Sequence, residues 1–473
     1  MIGDTIDNVV LVTVDSLRAD AISPYDTARH TPELGAIAEE AAVFEHAFAN
    51  GNWTPFAFPG ILASRPVFAD SGRIGVEASR TLASVLSAAG FDTAGFNAAN
   101  GFLTDHWGYE EGFDQFDAFV SDVGSNIYSR YLAAHPTVEA WIQLATSPFR
   151  RFASRLRGDA DDTPFHDASR GLDVERQATA FVEDADEPFF LWVHYMDTHT
   201  PYTPAPRYVR EVSGSRVGTH RMLLAHTKTG LGWEVGDRTL SDLRTLYRSA
   251  VRQVDASIGR LRGALAEAGV ADDTALVVAG DHGEEFQEHG HLAHYPKLYD
   301  ELCRVPLIVD VPGADGRRVE GAVGLDAIPP TVCAAVGVEP DTTWTGRSLL
   351  PSVVAGKAPA DEPVVSVTVR GEEVTSQPIP RALDDGDLLV AARTTAWTYI
   401  TNTATGEEEL YHRPSDPRQQ TDRSSADGAE ETAALDRLRP AADAHTEALS
   451  GAGADAVEVE GDVETRLSAL GYR

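Results

Sequence analysis

The chain has 473 residues, with 73 acidic and 39 basic side chains, so its formal net charge at pH 7 is −34. Such a charge repels phosphate backbones and argues against a nucleic-acid-binding protein. With 42% hydrophobic residues the chain can bury a sizeable core, which argues against bulk disorder. The two cysteines, Cys303 and Cys333, exclude a disulfide scaffold and a cysteine-rich zinc site.

Lysine is unusually rare in this chain. It occurs only at Lys228, Lys297 and Lys357, so 36 of the 39 basic residues are arginine. An acidic surface that is nearly free of lysine is typical of proteins that work in concentrated salt, where screening weakens self-repulsion. We therefore expect a halophilic protein, with a merely acidic protein from a GC-rich genome as the alternative.

The N-terminal segment MIGDTIDNVVLVTVD has no basic region followed by a long apolar stretch. The chain also has no apolar run of about 18 residues. We therefore expect no secretory signal, no transmembrane helix and a cytoplasmic location. Residues 149–157 (FRRFASRLR) predict a short amphipathic helix with four arginines. A solvated helix paired with acids is the favoured interpretation, and peripheral contact with an anionic membrane or substrate is the alternative.

Long apolar runs rich in β-branched residues predict buried strands. These runs span residues 8–14, 189–193, 274–279 and 305–309. Helical periodicity predicts helices over residues 31–42, 81–89 and 240–268. The alternation of strands and helices predicts an α/β fold, in which helices cover both faces of a large, predominantly parallel sheet.

The sequence pattern changes after about residue 338. Short strand patterns span residues 364–369, 388–392 and 398–402, a polar stretch over 413–428 predicts a loop, and residues 430–449 predict a helix. We therefore predict a large α/β domain over residues 1–345, a small C-terminal α+β subdomain over 346–455 and a tail over 456–473.

Acidic residues follow two of the predicted strands. Asp15 ends the first strand in TVDSLRAD, and Asp281 and His282 follow residues 274–279 in GDHGEE. Because ligands bind at the carboxyl ends of strands in open α/β sheets, we expect these side chains to converge. Two carboxylates and an imidazole suit a divalent cation such as Ca, Mn, Mg or Zn. The alternative is a helix cap at Asp15 and an ordinary turn at Asp281.

Between these motifs lies GNWTPFAFPGILASRP, in which Thr54 precedes a proline and a helical stretch. This position predicts a helix N-cap. It is also a favourable place for a nucleophile, because helix-start amides stabilise an anionic centre. A metal ion bound to the hydroxyl oxygen would lower its pKa and activate it for attack.

The motifs together resemble the sulfatase family of the alkaline phosphatase superfamily. VTVDSLRAD, NGNWTPFAFPGILASRP, PFFLWVHYMDTHTPY, TALVVAGDHGEEFQEHG and LYDELCRVPLIVDVPG follow one another in the family's order. The resemblance implies an alkaline phosphatase-like fold and a metal-dependent enzyme that hydrolyses sulfate or phosphate esters. It further implies one metal ion on Asp15, Asp281, His282 and the oxygen of Thr54, with His199 contacting the substrate and assisting the leaving group.

Further side chains are candidates for substrate contact: Arg18, Asn97, His194 and Lys297. Lys297 lies near the position of the family's active-site lysine. Asn97, together with Asn100, stands where the family has a Gly-Lys-Trp-His segment. His194 belongs to the same segment as the family's histidine, and Arg18 adds a positive charge beside the predicted metal ligands.

The departures from the family pattern concern the nucleophile. Thr54 stands where classical sulfatases have the Cys or Ser that is oxidised to formylglycine, and Phe58 replaces an arginine of that motif. Ser16 replaces the second aspartate of the usual pair. We therefore expect no formylglycine, and a threonine nucleophile instead resembles the phosphoryl-transfer branch of the superfamily.

A second metal ion has candidate ligands in His289, His291 and His294, but one metal ion is favoured because a clear Asp-x-x-x-His pair is missing. The predicted substrate is a small-molecule, glycan-linked or lipid-linked sulfate or phosphate ester. Phosphoglycerol or phosphoryl transfer is the first alternative function. A non-catalytic relative that binds anions or glycans is the second.

Overall fold

A computed structural model describes residues 6–119, 170–214, 217, 219–230, 234–294, 296–370 and 382–455. The arginine-rich stretch at 149–157 and the predicted tail at 456–473 lie outside the described residues. Within those ranges, no helix combines the length and apolarity that crossing a membrane requires.

The strands in the described ranges are β1 Asn8–Val14, β2 Ala42–Phe48, β3 Asp92–Asn97, β4 Gln115–Asp117, β5 Phe189–Tyr195, β6 Thr274–Gly280, β7 Glu285–Phe286, β8 Leu292–Ala293, β9 Arg304–Val305, β10 Leu307–Asp310, β11 Arg317–Gly324, β12 Val364–Arg370, β13 Asp387–Arg393, β14 Trp397–Asn402 and β15 Glu408–His412. Nine of them form the main sheet, in the order β11-β2-β10-β6-β1-β5-β3-β4 with β9 paired to β2. The short strands β7 and β8 form a hairpin.

The α-helices in the same ranges are α1 Pro32–Glu40, α2 Thr54–Ala63, α3 Leu82–Ala88, α4 Gly171–Asp184, α5 Pro206–Ser213, α6 Thr219–Gly230, α7 Asp237–Ala268, α8 Asp300–Cys303, α9 Ile328–Ala335, α10 Leu350–Ala355 and α11 Ala429–Asp455. The long helix α7 packs against α1, α4, α5 and α6 on one face of the sheet. Helices α2, α3 and α9 contribute to the core on the other face.

Strand β1 lies at the centre of the main sheet and is parallel to both neighbours. Val12 is paired with Val193 of β5 and with Val278 of β6. Successive side chains of a strand point to opposite faces, so Val10 and Val12 join one core and Leu11 joins the other. Burial on both faces explains why this strand is a continuous apolar run rather than an alternating one.

The predicted fold class is confirmed: the main sheet is large and mostly parallel, with helices on both sides. One predicted strand is divided. Residues 305–309 fall into β9 and β10, which are separated by Pro306, a residue without an N–H for a ladder hydrogen bond. Strand β10 runs antiparallel to β2 and β6, which the alternation of strands and helices did not predict.

The C-terminal region forms a separate antiparallel sheet in the order β12-β13-β14-β15, and α11 packs against β13 and β14. All three strand patterns and the helix that the sequence predicted in this region are present. The exact domain boundaries at residues 345 and 455 stay predictions.

A buried ionic group joins this C-terminal sheet to the main part of the chain. Asp300 of α8 accepts a hydrogen bond from Arg413 Nε at 2.7 Å and lies 3.6 Å from Arg393 Nε. Arg393 is fully buried and also donates to Ser366 Oγ at 2.8 Å. Burial alone would raise the pKa of Asp300, but the two guanidinium groups outweigh burial and lower it.

The variant Asp300→Asn should lose about 3–5 kcal/mol of unfolding free energy, because it leaves two buried guanidinium groups without their carboxylate. Since the folded-state pKa of Asp300 is lowered, the wild-type advantage is complete above the pKa of unfolded aspartate. It is lost as the pH falls through the folded-state pKa. Urea unfolding at several pH values measures both effects.

The matched control is Asp361→Asn, since Asp361 is 88% exposed in its pair with Arg437. We expect this variant to stay within about 0.5 kcal/mol of the wild type. Equal unfolding midpoints for the two variants would show that the ionic group contributes nothing.

Candidate active site

Three segments of the chain meet at the carboxyl ends of β1 and β6. Asp15 follows β1, Asp281 and His282 follow β6, and Thr54 begins α2. The Thr54 hydroxyl oxygen lies 3.2 Å from Asp15 Oδ2, 3.1 Å from Asp281 Oδ2 and 3.4 Å from His282 Nε2. All four residues are at most 5% exposed. We refer to Asp15, Thr54, Asp281 and His282 as the Thr54 cluster.

The strand register brings the two aspartates together, because Val14 of β1 is paired with Gly280 of β6. Ser16 then fixes their carboxylates. Its backbone lies in the left-handed region at φ 56°, its N–H donates to Asp281 Oδ1 at 3.0 Å, and its hydroxyl donates to Asp15 Oδ1 at 2.7 Å. The other oxygen of each carboxylate is the one that faces Thr54.

Helix α2 begins at Thr54 itself, with Trp53 as the N-cap residue, one position earlier than the sequence pattern predicted. The Thr54 hydroxyl therefore makes no capping bond, and it is directed to the two carboxylates instead. The start of a helix adds positive potential at this point, which favours an anionic group beside Thr54.

The imidazole of His282 is oriented by its neighbour. Its Nδ1 lies 2.9 Å from the carbonyl oxygen of Gly283, so Nδ1–H donates there. Nε2 therefore faces the other three residues of the Thr54 cluster. A backbone carbonyl that holds the second ring nitrogen is the usual arrangement for a metal-ligating histidine.

The Thr54 cluster fits the divalent cation that the resemblance implies. Ligand atoms of Asp15, Asp281 and His282 lie within 4.8 Å of one another. Burial and the charge of Asp15 raise the pKa of Asp281 well above its ordinary value. A shared cation would remove this repulsion between two buried carboxylates, and the mixture of oxygen and nitrogen donors suits Mn, Zn, Mg or Ca.

Two further histidines lie beside the Thr54 cluster. The ring of His294 is 5.1 Å from that of His199 and 5.2 Å from that of His282, measured between centroids. Burial lowers the pKa of His294 to about 3. Sequence reasoning grouped His294 with His289 and His291, but among the described residues His289 instead makes contacts with Glu301 and Tyr299.

Glu284 is a site residue that sequence reasoning missed, although it stands in GDHGEE. It is fully buried, accepts a hydrogen bond from the hydroxyl of Tyr202 and lies 3.5 Å from His294 Nδ1. Burial raises the pKa of Glu284 to about 7. Its position directly after a predicted metal-binding motif was the only signal for it.

The FNAANG segment contributes Asn100 rather than Asn97 to the Thr54 cluster. Asn100 Nδ2 lies 3.2 Å from Asp15 Oδ2 and 3.5 Å from Thr54 Oγ1. Asn97 instead donates to the carbonyl of Leu103 and accepts from the backbone N–H of Asn100 at 3.0 Å. Asn97 therefore positions Asn100, and the predicted direct contact of Asn97 with substrate does not agree with this geometry.

His194 lies behind Asp15. Its Nδ1 is 2.9 Å from Thr13 Oγ1, its Nε2 is 3.8 Å from Asp15 Oδ2, and its ring meets the ring of Phe58 edge-on at 5.0 Å. His194 lies within β5 and supports Asp15 from behind, and its predicted contact with a substrate stays a prediction.

Arg18 and Lys297 make their contacts outside the Thr54 cluster. Arg18 forms ion pairs with Asp20 and Glu288, both at distances below 3 Å. The Lys297 ammonium lies 3.7 Å from a carboxylate oxygen of Glu409 and 5.4 Å from the ring centroid of Tyr299. The structure therefore does not bring either predicted substrate contact to Thr54, because nearby acids hold both cations elsewhere.

Comparisons with known proteins show the family to which this chain belongs. A family model described as "Sulfatase" matches residues 7–338. A multifunctional alkaline phosphatase superfamily protein of Trinickia caryophylli is 27% identical over 235 residues, or 44% of each chain. A choline-sulfatase of Rhizobium meliloti is 22% identical over 88% of this chain and 81% of its own. The first of these matches thus spans less than half of the relative's length.

Two solved structures share the fold at 18% identity. One, determined with its substrate D-glucosamine-2-N,6-O-disulfate, has a TM-score of 0.69 and covers 96% of this chain and 100% of its own. The other is the phosphonate monoester hydrolase of Agrobacterium radiobacter. It has a TM-score of 0.65 and covers 95% of this chain and 96% of its own. With the family model matching well over half of its residues, this chain belongs to the sulfatase family.

Proposed function

We propose that this protein hydrolyses phosphate or sulfate esters with Thr54 as the nucleophile. The observation that carries the proposal is the position of the Thr54 hydroxyl, which lies within 3.2 Å of two buried carboxylates at the start of a helix. A hydroxyl that merely caps a helix would point to a backbone N–H instead.

Phosphate esters are the favoured substrates. A phosphorylated threonine is released by simple attack of water on phosphorus, which regenerates the hydroxyl. Sulfatases with formylglycine instead use an aldehyde hydrate to expel sulfate, and Thr54 offers no aldehyde. A solved structural neighbour is a phosphonate monoester hydrolase, which supports chemistry at phosphorus on this fold.

When bound to Asp15, Asp281 and His282, a divalent cation would lower the pKa of the Thr54 hydroxyl and offset negative charge on the transferred group. The Thr54 oxygen attacks phosphorus in line, so that its bond to phosphorus forms while the ester bond to the leaving oxygen breaks. Thr54 loses one proton and the leaving oxygen gains one. Water then cleaves the phosphothreonine, which releases phosphate and restores the hydroxyl.

His199 is the proposed donor of the proton to the leaving oxygen. Its Nδ1 lies 2.7 Å from the carbonyl oxygen of Thr200, so Nδ1–H is held there and Nε2 is the nitrogen that exchanges a proton. Donation requires the imidazolium, which carries a second proton on Nε2. Burial and the charge of His294 lower the pKa of His199 below its ordinary value, and the Asp15 carboxylate, which favours the imidazolium, offsets this in part.

The variant Thr54→Ala should lower kcat by about 10⁴-fold or more on aryl phosphates, because it removes the attacking oxygen. The assay uses phosphate monoester, phosphodiester, phosphonate and sulfate substrates in molar KCl, with Mn, Mg, Ca and Zn added separately. Rapid acid quench and mass spectrometry should detect a phosphoryl group on the peptide that contains Thr54.

Thr403→Ala, in an exposed turn after β14, is the matched control and should retain full activity. Full activity of Thr54→Ala on every substrate would rule out Thr54 as the nucleophile. Appearance of the phosphoryl group on an added alcohol such as glycerol, rather than as free phosphate, would identify a transferase.

The variant His199→Gln should affect esters according to their leaving group. We expect kcat/KM to fall by about 10²–10⁴-fold for alkyl esters, whose alkoxide needs a proton, and far less for nitrophenyl esters. Steady-state rates for a series of leaving groups measure the difference. An equal loss across the series would assign His199 to substrate binding, and His106→Gln, at an exposed histidine, serves as the control.

A further inference from the structure

A second group of metal-type donors shares no residue with the Thr54 cluster. Glu285 of β7, His289 of the following turn and Glu301 of α8 present ligand atoms within 4.8 Å of one another. Glu285 is fully buried and Glu301 is 8% exposed. Two carboxylates thus face one imidazole in a site with little access to water, where an uncompensated negative charge is costly.

One carboxylate oxygen of Glu285 accepts hydrogen bonds from the backbone, and the other has no hydrogen-bond partner among the described residues. Oε1 accepts hydrogen bonds from the backbone N–H of His289 at 2.9 Å and of His291 at 2.8 Å. Oε2 is buried and has no hydrogen-bond partner within the described residues. A buried carboxylate oxygen without a donor is uncommon in folded proteins and calls for an occupant beside it.

The ring of His289 is oriented as a metal ligand would be. Its Nε2 lies 3.1 Å from the carbonyl oxygen of Gln419, and its Nδ1 faces Glu301 Oε1. The ring also stacks on Tyr299 with centroids 3.6 Å apart. Both ring nitrogens face oxygen acceptors, so without a metal ion the ring shares an Nδ1 proton with Glu301 and donates Nε2–H to Gln419. A cation would displace the Nδ1 proton and leave Nε2–H on the backbone carbonyl, which is the usual arrangement of a metal-binding histidine.

Burial raises the pKa of Glu301, and the charge of the nearby Arg18 guanidinium offsets that rise only in part. Arg18 is engaged in its two ion pairs, with Asp20 and with Glu288. Neither of these carboxylates belongs to the group of Glu285, His289 and Glu301.

From these contacts we propose that Glu285, His289 and Glu301 bind a second divalent cation, with Zn or Mn preferred for one nitrogen and two oxygen donors. The ion has a structural role. It ties the β7–β8 hairpin to α8 and, through the bond from His289 to Gln419, to the segment that follows β15. The site is independent of the proposed chemistry at Thr54.

Metal content of the full chain tests this site. After desalting from buffer with Zn or Mn as the probe, elemental analysis should give about two equivalents per wild-type chain, one at each site. The double variant Glu285→Gln/Glu301→Gln should retain about one equivalent, and Asp281→Asn should also retain about one, because each removes a different ion. All three substitutions combined should leave none.

Thermal unfolding gives a second readout that does not depend on activity. Adding the metal to chelator-treated protein should raise the Tm of Asp281→Asn, in which the second site is intact. It should leave the Tm of the triple variant Asp281→Asn/Glu285→Gln/Glu301→Gln unchanged. If the double variant fails to fold, His289→Gln replaces it in both measurements. The matched control is Glu320→Gln, whose side chain is 80% exposed and which should behave as wild type.

One equivalent in the wild type that disappears in Asp281→Asn would overturn the second site and leave the Thr54 cluster as the metal centre. In that case a proton on His289, shared with Glu301, holds the group together. One equivalent that persists in Asp281→Asn and disappears in His289→Gln would support the second site and contradict the proposed metal centre at Thr54.

Discussion

The repulsion between two buried carboxylates is the constraint on which the site depends. Asp15 and Asp281 follow neighbouring parallel strands, both are fully buried, and an oxygen of each lies within 3.2 Å of the Thr54 hydroxyl oxygen. Anionic side chains so close together in a low-dielectric environment require a compensating charge. The sheet register enforces their proximity, and a shared cation would relieve the repulsion, so the proposed metal site and the proposed nucleophile both depend on the fold.

The surrounding residues position the carboxylates of Asp15 and Asp281. Ser16 occupies one oxygen of each carboxylate, Asn100 donates to Asp15, and His194 supports Asp15 from within the sheet. The second oxygen of each carboxylate faces Thr54. In a chain of net charge −34, the proposed anionic substrate would be held by local features rather than by the overall field. These features are the start of α2, the proposed cation and the neighbouring imidazoles.

The sequence predicted correctly the position of a side chain that depends on a single strand or helix. It placed Asp15 and Asp281 at strand ends because buried parallel strands are continuous apolar runs that end visibly. It could not predict the contacts of His294 or Lys297, because both residues follow the β7–β8 hairpin, where no periodic pattern indicates which way a side chain points. Lys297 pairs with Glu409 of the C-terminal sheet, a partner more than 100 residues away that the local pattern does not reveal.

The sequence by itself determined the fold class, the order of the motifs, and the residue types that could bind a metal ion or attack an ester, because apolar periodicity and short motifs are local properties. Only the tertiary structure decided which of these side chains meet. It brought Asn100 rather than Asn97 to Thr54 and separated His289 from His294. Strand register and long-range hydrogen bonds set those distances, and neither is a property of any single segment.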